Sequence, residues 1–227
     1  MLNKRSHIVE DLDNFDFHGK ELEKTLDGLS KINRWFGNTN QTLKLVQEQI
    51  EKHQIKTIVD LGCGGGDNLR AIAQWCEEQN KDIKLIGIDG NEHVLEYAKS
   101  KGSEKIEYRQ ADILNKDFKI PACDLLMSSH FIYHFEDEKL IGFLKKVKQK
   151  VKKRVIFSEL ERNIFAFLLF TFIGGVFGRI VRSDGLKAIK RAFRKKEIET
   201  IIQESGFQDY SVQRKFWFRL LVKADVI

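Results

Sequence analysis

Apolar residues recur along this chain at two different spacings. Between residues 19 and 53, leucine, isoleucine and valine return every three or four positions in "KELEKTLDGLSKINRWF" and "TLKLVQEQIEKH", which predicts helices. From residue 56 onward, short β-branched runs alternate with longer amphipathic ones. "KTIVDL", "IKLIGID", "KIEYRQAD", "CDLLMSS" and "RVIFSEL" read as strands; "DNLRAIAQWCEEQ", "NEHVLEYAKS" and "DEKLIGFLKKVKQK" read as the helices between them. Continuous apolar strands separated by helices predict a parallel sheet covered on both faces. After "KKEIETIIQESGF", a helix stopped by Gly206, the stretch "DYSVQRKFWFRLLVKA" reads as a closing antiparallel pair.

The first strand runs straight into Asp60-Leu61-Gly62-Cys63-Gly64-Gly65-Gly66, four glycines in five positions. Glycine inside regular structure costs about 0.5–1 kcal/mol relative to alanine, so this cluster marks a backbone that bends sharply or touches a ligand closely. A dinucleotide-binding GxGxxG would need its third glycine at Asp67, and an acid leading the turn suits a cationic ligand better than a phosphate. Asp89 ends the second strand and is placed to accept hydrogen bonds from two ribose hydroxyls.

The Asp60–Gly66 segment resembles the E/DxGxGxG motif of class I S-adenosylmethionine-dependent methyltransferases, in their small-molecule, quinone-methylase-like type. That resemblance implies an α/β fold: a three-layer, doubly wound, mostly parallel seven-stranded sheet, Rossmann-like, with a helical N-terminal cap and a helical lid. Four regions follow: a cap over 1–50, a cofactor-binding core over 51–160, an apolar and basic lid over 161–196, and a last helix with the closing strands over 197–227. S-adenosylmethionine would be the cofactor and S-adenosylhomocysteine the product. Gly62, Cys63, Gly64 and Gly66 would pass under the methionyl part and Asp60 would hold its amino group. Asp89 and Gly90 would meet the ribose, Asp112 and Ile113 the adenine, and Ser128, with Ser129, would close over cofactor and substrate.

Methyl transfer to oxygen requires loss of a proton, which a histidine or carboxylate can take near neutral pH. His130 and His134 after the fourth strand and Glu159 after the fifth are the candidate bases. The two histidines share one face if the strand exit begins a helical turn. No acidic cluster with divalent-metal spacing is visible, so metal independence is expected. Cys63, Cys76 and Cys123 show no CxxC spacing, and the N-terminal stretch shows no secretory pattern, so a cytoplasmic protein is expected.

The formal charge of +6 is concentrated in Lys145–Arg154, with seven basic residues and no acid, and in Arg179–Lys196, net +7. Such blocks are solvated helix faces or anion-binding surfaces. They keep an RNA-directed methyltransferase open as an alternative, beside a non-catalytic S-adenosylmethionine-binding protein. Pro121 is the only proline, so the proline-rich loop of many base-modifying methyltransferases is absent, and only Phe193 interleaves the second block; both argue against nucleic acid. Ile164–Gly178 is fifteen apolar or small residues, about 22 Å as a helix against a hydrocarbon core of about 30 Å. Three readings stand for it: buried core, a lid over a hydrophobic small-molecule acceptor, and peripheral membrane contact.

Overall fold

The sheet strands form where both faces are apolar. In the computed structural model, which describes residues 2–102 and 104–226, the strands are β1 (Thr57–Leu61), β2 (Lys84–Asp89), β3 (Ile106–Gln110), β4 (Cys123–Ser129), β5 (Val151–Leu160), β6 (Tyr210–Lys215) and β7 (Arg219–Asp225). Along β4, Leu125 and Met127 pack to one side and Leu126 to the other, all essentially inaccessible to solvent. Side chains alternate across a strand, so such a run is stable only with helices on both faces.

Those helices are α1 (Gly19–Trp35), α2 (Asn38–His53), α3 (Asp67–Glu78), α4 (Glu92–Ser100), α5 (Asp137–Lys150), α6 (Ile164–Ile173), α7 (Arg179–Arg191) and α8 (Lys195–Glu204). Val46 and Ile50 of α2 and Leu69, Ile72 and Cys76 of α3 cover one face of the sheet. Leu140, Leu144 and Val147 of α5 and Ile198, Ile201 and Ile202 of α8 cover the other. The strand order is β3-β2-β1-β4-β5-β7-β6, with β7 antiparallel to both of its neighbours. The winding direction therefore reverses between β1 and β4, and a crevice opens there beyond the carboxyl ends of the strands.

Three features matter for the site. First, the helices of the N-terminal cap begin at Gly19, as the apolar spacing predicts, and residues 2–18 ahead of them form a strap with a 3-10 turn at Asp11–Asp13. Second, β5 begins at Val151 rather than Arg154, because Val151 already pairs with Cys123 of β4, ahead of a register shift that brings Arg154 opposite Leu125. Third, Ile164–Gly178 is not one helix. α6 stops at Ile173, Gly174–Phe177 is a 3-10 turn, and α7 follows. The inserted segment closes at its base, where Glu161 bridges Phe193 and Arg162 Nη1 donates to Ala192 O at 2.6 Å.

Candidate functional site

β1 ends and the chain turns at once. Gly62 N and Cys63 N both donate to Ile88 O, at 2.9 and 3.0 Å, which hooks the turn onto β2. Gly62 has φ +66, and a Cβ there would lie 2.5 Å from the Phe131 ring, so only glycine fits both the backbone and the space. Gly64, also at positive φ, has nothing within 4 Å of where a Cβ would stand. A cavity of about 500 Å³ opens over this turn.

The donor-side candidates divide between the cavity wall and its support. Gly62, Cys63, Gly64, Asp89, Gly90, Asp112 and Ile113 line the cavity. Asp89 also ties the turn together, Oδ2 accepting from Gly64 N at 3.0 Å and Oδ1 from Asn91 N at 3.1 Å. Burial pushes its pKa up, against the lowering effect of these backbone bonds. Asp112 Oδ1 accepts from Leu114 N at 3.0 Å, which shapes the turn after β3. Gly66, Ser128 and Asp60 are not among the lining residues. Gly66 caps α3 against Tyr108, and Ser128 Oγ donates to Leu61 O at 2.9 Å. Asp60 is buried beneath the turn with Oδ1 unpartnered, and burial followed by the charge of Asp89 raises its pKa well above the carboxylate range. On the wall stand Gly65, next to the expected Gly66, and Ser129, the second of the two serines expected there, whose Oγ accepts from Asn68 Nδ2 at 3.2 Å. A one-residue step along a strand end decides which serine faces the cavity, and periodicity fixes it only once the register is known.

The chemistry-bearing residues beyond β4 are arranged differently from the expectation of one shared helical face. The helical turn is short, Ile132–His134, and His130 lies before it with φ +53. Both histidines still line the same cavity. His134 Nδ1 lies 3.1 Å from Asp13 Oδ1, and its ring stacks on Tyr133 at 4.4 Å between centroids. Its pKa is lowered by burial, which outweighs the raising effect of Asp13. His130 has Nε2 unpartnered; burial and then the nearby Arg219 charge lower it to about 3. Glu159 is not on the wall. Its Oε1 accepts from Phe131 N and Ile132 N at 3.1 and 3.2 Å, and burial raises it to about 8. That placement makes Glu159 a support of the turn rather than the proton acceptor expected of it.

The strap supplies residues that sequence spacing did not single out. Glu10 and Asp13 both line the cavity, and Arg191 Nη1 of α7 reaches both, at 3.1 and 2.7 Å. Burial, reinforced by the Asp13 charge, raises Glu10 to about 8. Asp13 is held at about 2, because bonds from His134 and Arg191 overcome the raising effect of burial. Asp184 accepts from Asp11 N and Leu12 N, at 2.9 and 3.0 Å. Arg5 donates to Tyr133 O at 2.6 Å and Phe135 O at 3.0 Å. Glu10, Asp13 and His134 offer ligand atoms within 4.8 Å of one another, but Arg191 already supplies the cation between the two carboxylates. The complementary charges of "VEDLDNFD" and the block at 179–196 are the one sequence signal that could have paired strap and lid.

Overhead, α6 presents Ala166, Leu169, Phe170 and Ile173 to the cavity, and Phe170 packs so close to α7 that a Cβ on Gly185 would lie 2.2 Å from its ring. Its opposite face exposes Ile164, Phe165, Leu168 and Phe172. Among the described residues no helix is long and apolar enough to cross a membrane.

Residues 58–154 match the family described as "Methyltransferase domain". This chain is therefore similar to that family over a stretch shorter than half its length. Carboxy-S-adenosyl-L-methionine synthase of Campylobacter jejuni subsp. doylei is 25% identical over 151 residues, covering 64% of this chain and 61% of that protein. Des-methyl DIF-1 methyltransferase A of Dictyostelium discoideum is 27% identical over 123 residues, 50% of this chain and 32% of that one. The chain thus spans about three fifths, or a third, of the length of these relatives. Among solved structures, a plantazolicin methyltransferase in complex with a pentazolic desmethylPZN analog and SAH superposes with a TM-score of 0.66 at 14% identity, covering 91% of this chain and 97% of that one. Magnesium protoporphyrin IX methyltransferase of Synechocystis, with bound SAH, gives 0.57 at 16% identity, covering 83% of each chain. At these identities the likeness is one of fold.

The methyl donor of that family is S-adenosylmethionine, and residues on the cavity wall of this chain fit it. Asp60 lies beneath the turn rather than on the wall, so the fit rests on Asp89 and Ile113. Asp89 accepts one backbone bond at each oxygen and keeps lone pairs for ribose hydroxyls. Ile113, 3% exposed, gives an apolar wall for an aromatic base.

Proposed function

We propose that the protein methylates a hydroxyl group on a small, largely apolar acceptor, with S-adenosylmethionine bound at Gly62–Gly65, Asp89 and Asp112–Ile113. The observation that carries this reading is His134 on the cavity wall with Asp13 fixed against its Nδ1. A carboxylate on Nδ1 holds the ring as the tautomer whose Nε2 is free to accept a proton, the logic of an oriented base. When bound, the donor would supply an electrophilic methyl group, its sulfur keeping the electron pair of the bond that breaks as the acceptor oxygen bonds to the methyl carbon. His134 Nε2 would take the proton that the acceptor hydroxyl gives up. The rest of the task is positioning and exclusion of water, which the strap, α6 and α7 accomplish by roofing the cavity. Arg191 stands between the two acidic strap residues, so no metal is needed there.

The basic blocks give the RNA-directed alternative no support. Lys150, Lys152 and Lys153 lie at the amino end of β5, across the sheet from the cavity. In the second block, Arg191 and Lys187 are paired with acids, and Arg194 Nη2 donates to Leu2 O at 3.0 Å.

The test is calorimetric binding of S-adenosylhomocysteine followed by turnover on a panel of alkyl-substituted phenols. We expect binding, with turnover falling about a hundredfold or more in His134→Ala while cofactor affinity holds. Near-normal turnover in that variant removes His134 as the base, and no binding of S-adenosylhomocysteine removes the methyl-transfer reading.

A further inference from the structure

Arg219 opens β7, is 4% exposed, and lines the cavity, yet its Nε and Nη1 have no hydrogen-bond partner. Buried guanidinium groups are ordinarily paired, because desolvating the charge is costly unless an anion compensates it. Here burial alone pulls the pKa down to about 10, and no acidic group among the described residues counters it. The acids that flank its β5 partner Leu160 do not reach it, and neither they nor any other acid shifts its charge, although Glu159 Oε2 is itself buried without a partner. Glu161 takes Arg214 Nε at 2.8 and 2.9 Å, and Glu159 takes backbone N–H groups. In the sheet, Arg219 stands opposite Leu160 on one side and Lys215 on the other, neither of them an anion.

The turn that delivers this side chain is itself strained. Trp217 and Phe218 have φ of +62 and +56, a left-handed conformation that bulky residues rarely adopt, and strain of this kind concentrates at ligand clamps. Both residues line the same cavity as Arg219.

We infer that Arg219 binds a carboxylate on the acceptor, so that the substrate class is a small apolar molecule carrying both the hydroxyl that is methylated and a carboxylate group. This rests on the methyl-transfer reading above. A guanidinium offers fixed, planar donors that match a carboxylate, and a charge-assisted pair of this type is strong when buried. A monoanion is the better match than a phosphate. The other arginine on the cavity wall, Arg191, is already shared by Glu10 and Asp13, and the imidazole beside Arg219, His130, is held neutral, so a single positive charge is available.

The α-carboxylate of the methyl donor is the other source of the same chemistry, and the experiment separates the two. Binding of S-adenosylhomocysteine to the full chain is measured first, for the wild type, Arg219→Met and Arg219→Lys. With S-adenosylhomocysteine saturating, binding of 4-butylbenzoate is then compared with that of 4-butylbenzamide. We expect the wild type to prefer the benzoate by about tenfold or more, and Arg219→Met to prefer it by less than about twofold, with S-adenosylhomocysteine affinity unchanged in both. Arg219→Lys, which keeps the charge but not the fork, falls between. Ligand-free Arg219→Met melts no lower than the wild type, because the substitution removes an unpaired buried charge. An equal preference in the wild type and Arg219→Met overturns the inference, as does loss of S-adenosylhomocysteine affinity in Arg219→Met, which would assign the carboxylate to the donor. Failure of both variants to fold would make Arg219 structural and also overturn it. A wild type that binds the benzoate selectively but not S-adenosylhomocysteine would instead fail the methyl-transfer reading.

Discussion

The two ends of the cavity are built on different plans. At the end proposed for the donor, the wall is built from strand exits: Gly62–Gly65 after β1, Asp89 and Gly90 after β2, Asp112 and Ile113 after β3. Each is positioned by a turn of a few residues and by sheet register. At the acceptor end the wall is assembled from the strap, α1, the Ile132–His134 turn, α6, α7 and the β6–β7 turn, held by ion pairs between residues far apart in the chain. Strand exits give a rigid cradle for one invariant ligand shape, whereas a wall of separate pieces changes its shape by changing any one of them.

The comparison breaks most sharply at Arg191. Arg191→Met leaves the Glu10 and Asp13 carboxylates buried without their cation, and breaking a buried pair in this way costs about 3–5 kcal/mol. Urea denaturation reads it; a loss below about 1 kcal/mol would mean that the strap does not hold the acceptor end together. A smaller effect is expected at the donor end. Asp89→Ala removes charge-assisted contacts to the ribose and weakens S-adenosylhomocysteine by about 1.5–3 kcal/mol in calorimetry, and an unchanged affinity would take Asp89 out of the ribose site. The smallest effect belongs to the outer face of α6. Phe172→Asp, at a position 80% exposed, is expected to shift stability by less than about 0.5 kcal/mol. Phe170→Asp, packed against Gly185 on the cavity side, is expected to cost several times more and to abolish alkyl-phenol binding. Equal losses in both variants would return α6 to the core.

The same contrast explains what could be read from the amino-acid order. The strands were legible because two-sided burial forces continuous apolar runs such as "CDLLMSS", and the glycine turn because Gly62 has both a positive φ and the Phe131 ring where a side chain would go. Asp89 was legible because it ends a strand. Glu10, Asp13 and Arg191 were not: each looks like a solvated charge until long-range folding brings strap and α7 together. Arg219 was hidden by its neighbours, since an arginine between "KFWF" and "LLVKA" resembles an edge-strand cation, and only its burial without a partner sets it apart. Glu159 misled for the opposite reason, because a strand-end acid can as readily pin a backbone turn as face a substrate.

The strap also makes contacts of very long sequence separation. Arg5 donates to the backbone oxygen of Arg191, 186 positions later, at 2.8 Å, and Arg162 and Arg194 both hold Leu2 O. Contacts so far apart in the chain carry a large loop-closure entropy, which slows their formation. The wall that joins strap and α7 is therefore expected to close late in folding, after parallel neighbours such as β1 and β2 have paired across much shorter loops.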